Sequence, residues 1–125
     1  MERDTAQRRA IREVIAAADG PLGPREVLDA ARCAVPNMGI ATVYRNLKTL
    51  TESGWLHVVE APGETQRYER AGKGHHHHFS CRGCGRMFEV NGCPGGLAEI
   101  LPEGFTLEDH EFFLYGRCTD CKNRK

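Results

Sequence analysis

No run in this sequence approaches the roughly 20 consecutive apolar residues that a membrane-spanning helix needs. The charged start, Met1-Glu2-Arg3-Asp4, lacks the apolar stretch of a secretion signal. Both absences point to a cytoplasmic protein with no membrane partner. Net charge is missing too: 17 lysines and arginines balance 17 aspartates and glutamates. That balance argues against general polyanion binding and leaves room for a local basic site. The chain has no low-complexity tract that would mark wholesale disorder. It carries no Ser-His-Asp pattern, no His-Glu-x-x-His helix and no phosphate-cradling glycine loop, so an enzyme is not expected.

What the chain does have is concentrated between Glu69 and Cys93. Four consecutive histidines, His75 to His78, stand three residues before a Cys-x-x-Cys, with carboxylates at either end of the strand-like residues around them. The six cysteines of the 125-residue chain read, in a reducing compartment, as metal ligands or buried thiols before disulfides. Cys81-Arg82-Gly83-Cys84 and Cys118-Thr119-Asp120-Cys121 are two such knuckles. Zinc takes four thiolates tetrahedrally, and a two-residue gap lets neighbouring sulfurs converge on one ion. Their separation exceeds that of a zinc ribbon, so spacing alone leaves open whether the two knuckles pair. A redox dithiol would need a strand-to-helix context that is absent here. Cys33 reads as a small core residue of a helix.

A purification tag would sit at a terminus, whereas this histidine run abuts a strand. Alternate side chains of a strand leave opposite faces, so His76 and His78 point one way and His75 and His77 the other. Each pair is a potential half-site that needs ligands from elsewhere, the alternative being a solvated histidine run with no metal. Glu69, Glu89 and His57 are candidates to complete the first; His110 and Cys93, and less favourably Glu99, to complete the second.

Residues from about 4 to 18 have helical periodicity, with Ala6, Ala10, Ile11, Val14, Ile15 and Ala18 on one face and Asp4 or Thr5 as cap. Arginines, Arg3, Arg8, Arg9 and Arg12 among them, gather on the other. A second helix starts at Pro24, buries Val27, Leu28 and Ala31, and ends before Pro36. A third helix lies within Asn37 to Leu50, its buried stripe being Ile40, Val43, Leu47 and Leu50. Its other face carries Thr42, Tyr44, Arg45, Asn46, Lys48 and Thr49, which hydrogen-bond phosphates and base edges. Strands Trp55 to Glu60 and Thr65 to Arg70 form a hairpin. Three helices and a hairpin follow the order of a winged helix-turn-helix. After Gly72-Lys73-Gly74 come strands at His78 to Cys81 and Arg86 to Asn91, a short helix within Pro94 to Leu101, and a long strand from Thr106 to Cys118. The predicted class is α+β: a winged-helix DNA-binding domain over residues 1–72 and a small α/β metal-binding dimerisation domain over 75–125. The second is too small to rest comfortably on a core alone, so it needs a metal or a partner subunit.

These features together resemble the ferric uptake regulator family of bacterial metal-sensing transcription factors. The likeness runs through Thr5 to Ile11, Ile40 to Leu47, Arg67-Tyr68-Glu69, His75 to Gly85, and His110 to Cys121. It implies a homodimer that binds palindromic double-stranded operators when a regulatory metal, zinc or ferrous iron, is bound. It implies structural zinc at Cys81, Cys84, Cys118 and Cys121. Regulatory positions are Glu69, His76, His78 and Glu89, with His57 as a further candidate, and an additional site holds His75, His77 and His110, with Cys93 near where relatives supply a glutamate. Tyr44 matches a DNA-contacting tyrosine, flanked by Thr42, Arg45, Asn46 and Lys48, with Arg8 near phosphates. The chain departs from iron- and peroxide-sensing relatives at Pro21-Leu22-Gly23, where they place a histidine, and His57 falls where zinc-sensing relatives can place an aspartate. Competing readings are a peroxide sensor that oxidises a ligand through its metal and a metal-buffering protein that does not bind DNA.

Overall fold

The computed structural model describes residues 5–122; Arg3 and Asp4, expected in the basic segment and as a cap, lie outside them. Thr5 starts α1 (Ala6–Ala17), its hydroxyl accepting the Arg8 amide at 3.0 Å and so satisfying an amide that a helix start leaves open. Ala10, Ile11 and Ile15 are buried and Val14 packs against them. α2 (Pro24–Ala31) opens on a proline, which has no amide to leave unpaired. Glu26 reaches back to accept the Gly23 amide at 3.0 Å and also meets the Arg67 guanidinium at 2.6 Å. α3 (Ile40–Glu52) buries Val43, Asn46, Leu47 and Leu50.

Ile11, Val27, Leu28, Ala31, Met38, Val43, Leu47 and Leu56 make one continuous core. Strands β1 (Leu56–Val59) and β2 (Arg67–Arg70) pair antiparallel. Leu22 bridges to Tyr68 through both backbone bonds, at 2.9 and 2.8 Å, so the turn between α1 and α2 clamps the hairpin. Three helices and a two-stranded hairpin thus share one core, and the unit Met1–Lys73 is compact by itself.

The unit Gly74–Lys125 is built on β3 (His77–Cys81), flanked by β4 (Met87–Val90) and β5 (Phe113–Gly116) in the order β4-β3-β5. β4 runs antiparallel to β3 and β5 parallel to it. A final helix, α4 (Thr119–Lys122), follows directly. The architecture is α+β. No helix among the described residues is long and apolar enough to cross a membrane.

Three expectations are corrected. The long strand from Thr106 to Cys118 is confined to Phe113–Gly116. Just before it, Phe112 gives its amide to the His77 ring at 3.1 Å and its carbonyl to the His78 amide at 3.2 Å, so a side chain takes a backbone group that a ladder would have used. The short helix is one 3₁₀ turn, Leu97–Ile100, entered through Gly96 at φ 74°, and Ile100 is 79% exposed. Cys33 is exposed, because α2 ends at Ala31 and the chain turns outward before the core reaches it.

Candidate metal centres and nucleic-acid face

The two cysteine knuckles meet. β3 ends on Cys81, the turn delivers Cys84, and the chain after β5 brings Cys118 and Cys121, with all four sulfurs within 4.8 Å of one another. Cys84 and Cys118 sulfurs lie 3.8 Å apart, the edge of a tetrahedron built on zinc–sulfur bonds of about 2.3 Å. Amides of Gly83, Cys84 and Cys118 donate to the Cys81 sulfur at 3.3, 3.4 and 3.3 Å. Those amides, led by that of Cys118, pull the Cys81 thiol down to about 6. The Arg86 amide and guanidinium lower Cys84 as well. Burial pushes the Cys121 thiol the other way, up to about 12, and an ion bound by the set would supply the charge that offsets this. The donor set fits structural zinc.

Gly83 was not singled out from sequence, yet the knuckle depends on it. A Cβ there would stand 2.8 Å from the Cys121 Cβ and 2.9 Å from its sulfur. Gly85 follows at φ 78°, a left-handed turn that glycine adopts at little cost.

The histidine run divides as strand alternation requires. His75 and His77 rings lie 4.6 Å apart, and His76 and His78 rings 4.9 Å apart. On the first face, His75 Nε2 is 3.0 Å from His110 Nε2, and the Cys93 sulfur is 3.5, 3.4 and 3.1 Å from the Nε2 atoms of His75, His77 and His110. Burial and the surrounding imidazoles lower the pKa of His77, which favours the neutral ring a metal needs. Glu99 is not in this group.

On the second face His76 is oriented for coordination. Its Nδ1 donates to the Gly74 carbonyl at 2.7 Å, which leaves the Nε2 lone pair for a ligand bond. That Nε2 stands 3.7 Å from a Glu89 carboxylate oxygen, and Glu89 pairs with His78 across the β3–β4 ladder. In the first unit, Glu69 and His57 are cross-strand neighbours on β1 and β2; Glu69 is buried and His57 exposed. The Gly74 carbonyl and the Phe112 amide have no side-chain signature, so sequence could not nominate them.

On α3, Tyr44 is 56% exposed, with Arg45 and Lys48 also exposed and Thr42 half-buried. Arg45 donates to the Thr42 hydroxyl at 3.3 Å. Asn46, expected on this outer face, is instead buried at 5% exposure. It lies three residues after Val43 and four before Leu50, on the buried stripe. Its amide donates to the Thr42 carbonyl at 2.8 Å, and its oxygen accepts from Arg8 of α1 at 2.9 Å.

Residues 2–115 match the model of the ferric uptake regulator family. The chain belongs to that family. Among its relatives, the ferric uptake regulation protein of Campylobacter jejuni is 35% identical over 126 residues, covering 97% of this chain and 80% of that protein. The zinc uptake regulation protein of Mycobacterium tuberculosis is 32% identical over 124 residues, covering 97% and 95%. A solved structure of the Helicobacter pylori ferric uptake regulator, described as revealing three functional metal binding sites, aligns at a TM-score of 0.72 and 26% identity. It covers 98% of this chain and 84% of that one. Relatives named for iron and for zinc match almost equally, so this family member is not assigned to either branch by likeness.

Proposed function

We propose that this chain is a homodimeric, metal-dependent transcriptional repressor, acting in the cytoplasm on palindromic double-stranded operators of metal-uptake or stress genes. The observation that carries the switch is the orientation of His76, whose Nδ1–Gly74 bond turns Nε2 toward the Glu89 carboxylate. His76 and His78 are its regulatory ligands, with Glu69 added on the strength of the family resemblance and Glu89 or His57 completing the set. A regulatory zinc or ferrous ion supplies a dication to be shared among imidazoles and carboxylates, a donor set that suits either metal.

The remaining assignments follow from placement. Cys81, Cys84, Cys118 and Cys121 hold structural zinc and join the end of β3 to the segment after β5. Tyr44, Arg45, Lys48 and Thr42 address the major groove from α3, while Arg8 of α1 contacts phosphate and Asn46 holds it in place. The dimer forms through β5, one of the two outer strands of its sheet, where Leu114 and Tyr115 are 48% and 41% exposed. An unpaired strand edge bearing apolar side chains is a ready template for a second copy.

Electrophoretic mobility shift against operator DNA, with zinc-loaded, iron-loaded and chelator-treated protein, tests the reading. The expectation is a strong metal dependence on a four-cysteine site that stays filled. Equal affinity in all three states would overturn the switch, and absence of operator binding under every condition would favour a metal buffer.

A further inference from the structure

Two metal-ligand groups hang from opposite faces of one strand, and their donor chemistry differs. The face with His76 brings in the Glu89 carboxylate. On the other face, the convergent group of the described residues is His75, His77, Cys93 and His110, with no carboxylate in it. Three imidazole nitrogens and one sulfur make a set of borderline and soft donors.

We propose that Cys93 makes this group a thiolate-bearing site for zinc-class ions that discriminates against manganese(II). This goes beyond the metal-dependent reading above, which leaves this face of β3 unassigned. The Cys93 sulfur lies between 3.1 and 3.5 Å from three imidazole nitrogens. Those distances fit donors directed at one centre with bonds of about 2.0 Å to nitrogen and 2.3 Å to sulfur. The four-cysteine set leaves Cys93 out, and Cys33 lies in the other unit. Binding requires Cys93 to lose its thiol proton to solvent and the His77 ring to carry its proton on Nδ1 instead of Nε2, giving up the bond from the Phe112 amide; the resulting thiolate pairs more favourably with zinc than with the oxygen-seeking manganese ion. A carboxylate at this place would remove that bias. Cys93 is exposed, in a loop whose neighbours Gly92, Pro94, Gly95 and Gly96 are exposed as well. The residue is therefore not needed by the core, and its exchange does not threaten the fold.

The test uses full-length protein whose four-cysteine site already holds zinc, with cobalt(II) titrated in and the absorption spectrum recorded. A sulfur-to-cobalt charge-transfer band is expected in the native protein and in Cys33→Ser, and its loss in Cys93→Ser, where tetrahedral ligand-field bands of the histidine sites remain. In a second arm, zinc and manganese compete for the native protein and for Cys93→Asp. The zinc preference should fall by about tenfold or more in the variant, since even outer-shell losses cost that much. A charge-transfer band absent from the native protein, or surviving in Cys93→Ser, would overturn the assignment, as would an unchanged zinc preference in Cys93→Asp. Operator binding enters neither readout, so failure of the repressor reading would be seen separately.

Discussion

Arg8 Nε donates to the Asn46 amide oxygen at 2.9 Å, tying a basic side chain of α1 to a buried position on α3. Because Asn46 also donates to the Thr42 carbonyl, its amide cannot rotate without losing a bond. Asn46→Ala should therefore cost about 1–3 kcal/mol in urea unfolding, the usual penalty for leaving a buried polar group without its partner. Operator affinity should fall beyond what the stability loss explains, because Arg8 loses its anchor. Asn46→Asp keeps the acceptor for Arg8 but sets a carboxylate oxygen against the Thr42 carbonyl, so it should recover part of the affinity without recovering the stability; a variant no better than Asn46→Ala in affinity at matched stability would argue against the Arg8 anchor.

Gly83→Ala pushes a methyl group against Cys121 at under 3 Å. Overpacking of this kind costs about 1–3 kcal/mol, and here it also spreads the sulfurs. Lower thermal stability together with weaker zinc retention against a chelator is expected. Ordinary zinc affinity in this variant would mean that the knuckle relaxes freely.

His76→Ala combined with His78→Ala should abolish metal-dependent operator binding while circular dichroism and ultracentrifugation report a folded dimer. Loss of fold in that protein would make these histidines structural instead of regulatory.

Zinc uptake at the four-cysteine site should release protons in a pH-dependent number. The Cys81 thiol is held down at about 6, so above that pH it has already given up its proton and contributes none on binding. As the pH falls through 6 it becomes protonated beforehand, and the count per zinc rises. Calorimetry in buffers of different ionisation enthalpy measures this directly. A proton count that does not change between pH 5 and about 7 would contradict the three amide bonds to the Cys81 sulfur.

Leu114→Glu places a charge on the exposed edge strand of the second sheet. Dimers should dissociate toward monomers in sedimentation velocity at micromolar concentration, with one structural zinc per chain retained. A dimer of unchanged strength would move the interface elsewhere.

Much of the fold was legible because apolar spacing encodes it: α2 begins at Pro24 and buries the expected Val27, Leu28 and Ala31. Asn46 shows where reading by residue type misleads. Its spacing from Val43 and Leu50 placed it on the buried stripe, but its polarity suggested the outer face. The knuckles and the alternation of His75 to His78 were legible from ligand chemistry and strand geometry. The shortened last strand was not, because it depends on Phe112 spending its amide on an imidazole of the neighbouring strand, 35 residues away in sequence. Backbone partners such as the Gly74 carbonyl are present at every residue, so only the folded chain selects them.

The ladder between β3 and its neighbours fixes Phe79, Ser80 and Cys81 in place, and therefore counts the histidine run backwards from its far end. Deleting any one of the four histidine codons yields the same protein. In that protein the three survivors occupy positions 76, 77 and 78, and a glycine moves into position 75. The switch keeps both its imidazoles. The whole genetic loss falls on the Cys93 side, so slippage in this repetitive stretch would erode metal discrimination before it touched repression.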